Sequence, residues 1–413
     1  MLKHLQLFAA ALIAALAVAC SDNDNGLEQM LDNVDYYPVR VEGQKKWSMM
    51  APDGTILFND SFPSAPTAAI EGVFSTSRDK GVAVCRIQPD GTLATIIEGL
   101  RHAGVMNGGR MPVCRPDSSI EVIDATGAVV FSLGAADGHN FNASGAYYSC
   151  GVLTVRDCST NLWGAVDRNG KIVVEPEYDF LSTFENGHAM AIKEGKVAVV
   201  DTEGGCKMLD GDYELVTGNF VYGHSIVIKR PDGVRCVVDT KGDVATPDRS
   251  IVAILLCRQG AVFMNHLGEY GVVGYDGEVA VVPARRELLM GINGTDLMLI
   301  CAGGRYSVLE ANGKTKGEFP ATTEKVVPLY GGRGYMVQQK GTPAWFRLFS
   351  ADLKPLGDVR VTDFGRRISF SDIMLSDREE DHRIFNNADP GDELPDWMEP
   401  DEEEKNDSTD NAQ

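Results

Sequence analysis

The sequence predicts an all-β fold built by repetition of a β-meander of about 37 residues. Three observations carry this. Val, Ile, Tyr and Phe are abundant and are punctuated by 44 glycines, the composition of short strands joined by tight turns. No segment of the middle of the chain shows convincing 3.6-residue periodicity. Above all, one turn signature recurs. Its glycines are Gly54, Gly91, Gly127, Gly170, Gly204, Gly242, Gly277 and Gly313, spaced 37, 36, 43, 34, 38, 35 and 36 residues apart, a mean of 37.

Each copy has a simple physical logic. In "LWGAVDRNGKIVVEPEYD", residues 162–179, a strand of alternating apolar residues runs into a turn and a second strand leaves it. Asp124, Asp167, Asp201 and Asp239 each stand three residues before a turn glycine, where a carboxylate can accept the backbone N–H groups of its own turn. The glycine supplies the positive φ that a short hairpin loop requires. A second hairpin, as in "GHAMAIKEGKVAVVD" at 187–201, fills the rest of the period, so each unit holds three or four strands. A ninth copy, "AWFRLFSADLKPLG" at 344–357, lacks the glycine. One meander cannot bury both its faces and must stack on the next. Radial stacking closes into a β-propeller. Nine repeat starts, with the first and last sharing a blade, give seven or eight blades; an open β-solenoid is the alternative. The Trp or Tyr on the strand before each turn is then expected to pack between blades.

Residues 162–201 combine Trp163-Gly164, Asp167-x-x-Gly170-Lys171, a Val-rich strand, Pro176, Tyr178-Asp179 and Phe184-x-x-Gly187. This resembles the WG-repeat family. The motif fades elsewhere, to Trp47-Ser48, Tyr270-Gly271, Tyr306-Ser307 and Trp345-Phe346. The resemblance implies a repetitive all-β protein and no shared catalytic residues.

The chain ends differ in kind from its middle. Lys3 and His4 precede an apolar run from Leu5 to Ala19, broken only by Gln6. At about 15 residues it is too short for a permanent membrane-spanning helix and fits the apolar core of a secretory signal. The run closes in "LAVAC", Leu16 to Cys20, which resembles the lipobox of bacterial lipoproteins, with Ala17 standing where Leu is usual. That resemblance implies cleavage between Ala19 and Cys20 and acylation of Cys20; cleavage after Ala19 to leave a bare thiol is the other reading. "SDNDN", 21–25, resembles the acidic tether of surface-exposed outer-membrane lipoproteins, with a periplasm-facing protein as the alternative. At the other end, residues 389–413 hold eleven Asp or Glu and one Lys, nearly half of the chain's net charge of −21. Such a segment cannot offset its ordering entropy by burial and is expected to be disordered. The expected organisation is a signal peptide at 1–19, an acylated Cys and flexible tether at 20–35, a WG-like β-repeat domain at 36–370 and an acidic tail at 371–413.

Chemistry-bearing motifs are scarce. Apart from Cys20 there are eight cysteines, none in a CxxC pair, so no zinc site or other metal is expected. Several lie in apolar strand runs, where Cys acts as a small core residue. Cys150 and Cys158 flank "GVLTVRD" and form the candidate disulfide. The seven histidines make neither HxxxH nor HExxH, and no GxSxG elbow or GxxxxGK[ST] loop occurs. Most acids in the body sit at turns, and Glu175 is the isolated candidate for a carboxylate catalyst. No cofactor is expected, and the lack of a basic patch argues against a nucleic-acid partner. The expected function is a non-enzymatic, lipid-anchored binding or scaffold module of the cell envelope, with an unknown protein or glycan partner. An accessory glycan- or nutrient-binding lipoprotein working with an outer-membrane transporter is the second reading, and a propeller hydrolase the third.

Overall fold

A computed structural model describes residues 26–143, 147–216, 218–245, 251–341 and 345–365. The expected signal peptide at 1–19, with the expected cleavage site at Ala19 and Cys20, and the tail from 371 onward lie outside these residues.

The described chain is all-β, as the repeat predicts: consecutive strands pair antiparallel in six sheets of four strands and one of eleven. The large sheet resolves into two four-stranded meanders, 69–100 and 323–360, and a three-stranded one, 34–62. With the six separate sheets at 102–132, 141–178, 180–208, 213–245, 251–285 and 288–318, there are nine units. Lettering the strands of each unit A to D, the A–B loops of the fourth, fifth, eighth and ninth units converge on a single short helix, which sets the A strands at the axis. The D strands form the rim, where exposed apolar residues such as Val129, Met208 and Val282 lie.

The ring is closed by strand exchange. The first blade holds β1 (Val34–Val41), β2 (Trp47–Met50) and β3 (Ile56–Phe62), which supply its B, C and D strands. The last strand, Pro355–Phe364, pairs first with Phe346–Ser350 as the D strand of the ninth blade. It then continues beside β1, with Val41 opposite Val361, Arg40 opposite Asp363 and Val39 opposite Phe364. One strand thus ends the last blade and begins the first. The adjoining β4 (Ala69–Ile70) takes up the N-terminal half of β1. An open solenoid is therefore set aside, and the blade count is nine rather than seven or eight: the first and last repeats share a strand, not a blade.

Nine hydrophobic clusters, each bridging consecutive blades, hold this ring together. Trp163, Val174 and Tyr178 of the fourth blade meet Phe180, Ala191 and Ala198 of the fifth. Tyr37, Val39 and Met50 meet Met336, Leu348 and Val361 across the closure. The Trp or Tyr before the turn packs between blades in four repeats: Trp163 lies 5.3 Å from Phe180, ring to ring, while Tyr270, Tyr306 and Trp47 border the equivalent clusters.

All eight turn glycines have φ between 72° and 91°, which is why the signature needs glycine. In the ninth copy Leu353 takes the same place with φ 60°, and its side chain lies over Gly317 of the eighth blade. The aspartates three residues earlier cap as expected. Asp167 accepts from Asn169 N and Lys171 N, Asp201 from Glu203 N and Gly205 N, and Asp239 from Lys241 N and Asp243 N, at 2.7–3.0 Å.

One boundary differs from expectation. Residues 26–35, placed in a flexible tether, belong to the body. Leu27–Asp32 form helix α1, and Val34 and Asp35 begin β1. The helix starts with Met30 N bonded to Gly26 O at 3.1 Å and ends where Asn33 N reaches Gln29 O and Met30 O. Met30 is fully buried and Leu31 nearly so.

Candidate interaction surface

Antiparallel meanders place all A–B loops and C–D turns at one end of the ring and all B–C turns and D–A connections at the other. The first end, the mouth face, concentrates the polar structure. Four A–B loops are two-residue turns whose flanking residues bridge, Asn107 with Arg110, Ser149 with Val152, Glu185 with His188 and Val221 with His224. In these turns, and in the Ile70–Val73 turn of the second blade, the first central residue is left-handed without always being glycine: Glu71, Cys150, Asn186 and Tyr222 have φ of 51–53°. Such conformations cost about 1 kcal/mol or more outside glycine.

What holds these residues there is a belt of bonds from loop to loop. Glu71 Oε1 accepts Gly108 N at 2.9 Å, and Cys150 Sγ accepts Gly187 N at 3.2 Å; each spans 37 residues, one repeat period. Tyr222 Oη accepts Gly294 N at 3.4 Å. Asn107 donates to Tyr148 O at 2.7 Å, Ser149 to Phe184 O, Thr154 to Ser182 O at 3.0 Å and Gln259 to Thr295 O at 3.4 Å. The belt gives a prediction that reverses the usual order of substitutions. Glu71→Ala keeps the strain and loses the bond, an expected cost of about 1–2 kcal/mol. Glu71→Gly loses the bond but relieves the strain, and is expected to stay within about 0.5 kcal/mol of the parent. Urea unfolding of both variants tests it; an Ala variant more stable than the Gly variant refutes the account.

Helix α1 lies across the mouth. At its start Gly26 is wedged against the Glu185 carboxylate and the Ser149 hydroxyl, too close for any side chain. At its end Asp32 meets Gly294 and Gly331, and Asp32 O accepts from the Arg333 guanidinium. The helix so joins the fourth and fifth blades to the eighth and ninth, across the ring. Burial pushes the Asp32 carboxyl up, while Arg258 and Arg333 pull it down. Tyr37 Oη, just beyond the helix, donates to Tyr330 O at 3.0 Å.

The remaining candidates separate. Glu175 is exposed on the outer strand Ile172–Tyr178, on the rim and away from the axis. Cys150 and Cys158 do not form the expected disulfide. They sit at opposite ends of the strand Val152–Asp157, about 20 Å long, whereas a disulfide needs Cα atoms within about 7 Å. Among the described residues no group of three or more His, Cys, Asp or Glu is placed to hold a metal ion, and no helix is long and apolar enough to cross a membrane.

Asp157, at the end of the same strand, has its carboxyl held well below the usual range. It accepts from Ser159 Oγ at 2.6 Å, Ser159 N at 2.7 Å and the His139 ring at 2.9 Å. These bonds, the Ser159 hydroxyl first, hold its pKa at about 2. A carboxyl whose folded pKa lies below its unfolded value of about 3.9 stabilises the fold above that value. The contribution is lost as pH falls through the folded pKa, between about pH 4 and pH 2. Asp157→Asn is expected to lower Tm at neutral pH and to flatten its decline over that window. An Asn variant that tracks the parent from pH 5 to pH 2 would exclude this role.

Comparison with known proteins agrees with the fold. The family described as WG containing repeat matches residues 163–196, the stretch in which the motif is intact, so this chain carries a WG repeat. No curated protein matches. Among solved structures, the chain is similar to a crystal structure of the eukaryotic initiation factor, at 12% identity and a TM-score of 0.50, over 80% of this chain and 97% of that one. It is also similar to BamB from Moraxella catarrhalis, at 14% identity and a TM-score of 0.36, over 68% of this chain and 89% of that one. Hsv2 of Kluyveromyces lactis matches at 9% identity and a TM-score of 0.34, over 63% of this chain and 96% of that one. At these identities the likeness concerns the fold alone.

Proposed function

We propose that this protein is a non-enzymatic, lipid-anchored module of the cell envelope that presents a rigid β-repeat surface to a protein or glycan partner. The observation that carries the reading is the use to which the polar groups are put. Many side chains at the mouth, where the A strands converge and a funnel site would lie, bond one loop to the next or hold α1, and the turn aspartates cap their own backbones. A ring stiffened in this way suits recognition by its surface. The anchor rests on Cys20 closing an apolar leader, and the acidic residues 21–25 favour the outer face of the outer membrane.

The test is fractionation and recovery from intact cells with a tagged full-length chain. Cys20→Ala is expected to move the protein from the membrane to the soluble fraction. Surface protease is expected to degrade the parent on whole cells, and a reproducible envelope partner to co-purify with it. A Cys20→Ala variant that stays wholly membrane-bound removes the lipid anchor; a parent fully protected on whole cells places the protein facing the periplasm.

A further inference from the structure

The way α1 is built into the ring fixes how an anchored molecule must stand. Resting on the lipid-anchor reading above, we propose that the mouth face is apposed to the membrane and that the opposite face, carrying the B–C turns and D–A connections, is the one presented outward. The described chain begins at Gly26, buried against Glu185 and Ser149 in the A–B loops of the fourth and fifth blades. Only five residues, 21–25, separate it from Cys20, six Cα–Cα steps with a reach of at most about 20 Å. Had residues 20–35 been a free tether, the reach would have been about 50 Å and no face would have been favoured. The blades are themselves about 20 Å tall, judged from six-residue strands such as His188–Lys193 and Lys196–Asp201. An acyl chain at Cys20 can therefore sit in a bilayer beside the mouth but not in one beside the far face.

The tether, not adsorption, sets this orientation. The mouth face displays exposed carboxylates on its C–D turns, Asp53, Asp90, Glu203 and Asp276 among them, which an anionic lipid surface does not attract. Orientation should thus depend on tether length and little on headgroup charge.

Cys158, exposed in a B–C turn, and Glu203, exposed in a C–D turn, report the two faces. Full-length acylated protein with Cys150 and Cys206 changed to Ser would carry a donor dye either at Cys158 or, with Cys158→Ser, at Glu203→Cys. It would be reconstituted from one side into phosphatidylcholine vesicles bearing a headgroup acceptor. Energy transfer is expected to be stronger from position 203, which stands about one blade height closer to the bilayer. Inserting a twelve-residue Gly/Ser linker between Asn25 and Gly26 is expected to erase the difference. Equal or reversed transfer in protein whose Cys20 acylation is confirmed by mass overturns the orientation alone. Absence of acyl mass at Cys20 overturns the anchor and the orientation together.

Discussion

Val361→Asp is expected to unfold or split the ring, at a cost above about 4 kcal/mol, because it buries an unpaired carboxylate at the closure. Val361 has no exposed surface and lies opposite both Val41 of the first blade and Phe346 of the ninth. Its cluster joins Val39 and Met50 to Met336 and Leu348, so a charge there would be set into an apolar cluster from two chain ends. Val361→Ala removes two methyl groups without adding a charge and is expected to cost roughly 2 kcal/mol. Thr362→Asp, one residue on and exposed, separates closure from local chemistry and should cost less than about 1 kcal/mol. Guanidinium unfolding of the three variants decides the matter. Amide exchange should show the loss first in β1 and the last strand, the pair 320 residues apart in sequence that the closure joins. A Val361→Asp protein that melts with the parent would mean that the clusters between the other blades hold the ring shut unaided.

The repeat was legible because its turn is chemically demanding. A left-handed position excludes most side chains, so glycine persists at eight of nine copies while the strands around it drift. The blade number was less so, because the shared strand belongs to two blades at once and has no sequence mark of its own. Gly365, its last described neighbour, carries no strand signal and yet bonds Pro38 O at 2.8 Å. Helix α1 left a trace that acidity obscured: Leu27, Met30 and Leu31 stand at i, i+3 and i+4, an apolar helical spacing, directly behind the acidic "SDNDN". The Cys150–Cys158 pairing failed for want of strand direction. Seven intervening residues suggest proximity only if a turn lies among them, and the segment is one uninterrupted strand. As for the mouth, Glu71, Cys150 and Tyr222 occupy turn positions where Asn and Gly are the usual residues. Their partners lie one repeat or more away, beyond any local pattern.

The motif that names the repeat yields the second large effect. Trp163→Ala is expected to cost about 3–5 kcal/mol, since the indole is buried between the fourth and fifth blades beside Phe180. Gly164→Ala should cost about 1–3 kcal/mol for a different reason. Its backbone is not left-handed, but an added Cβ would lie 2.5 Å from Val174 O and 2.9 Å from Pro176 N. Both are main-chain atoms of the neighbouring strand, which cannot swing aside. That crowding coincides with a register shift between Trp163 and Ala165, so glycine lets the outer strand cross close over the third. Gly271 repeats the arrangement, with Val281 O at 2.9 Å from the missing Cβ. In the first blade the constraint is lifted. Phe58 and Asp60 take φ of 52° and 51°, the outer strand bends away, and Ser48 fits fully buried with its Oγ accepting Asp60 N at 3.0 Å. Ser48→Gly, which restores the motif, is therefore expected to destabilise the protein by about 1 kcal/mol, while Gly164→Ser should be at least as damaging as Gly164→Ala. Thermal unfolding of these four variants checks both signs. A stabilising Ser48→Gly would show that the dipeptide is favoured for itself, and not for the path of the strand that crosses it.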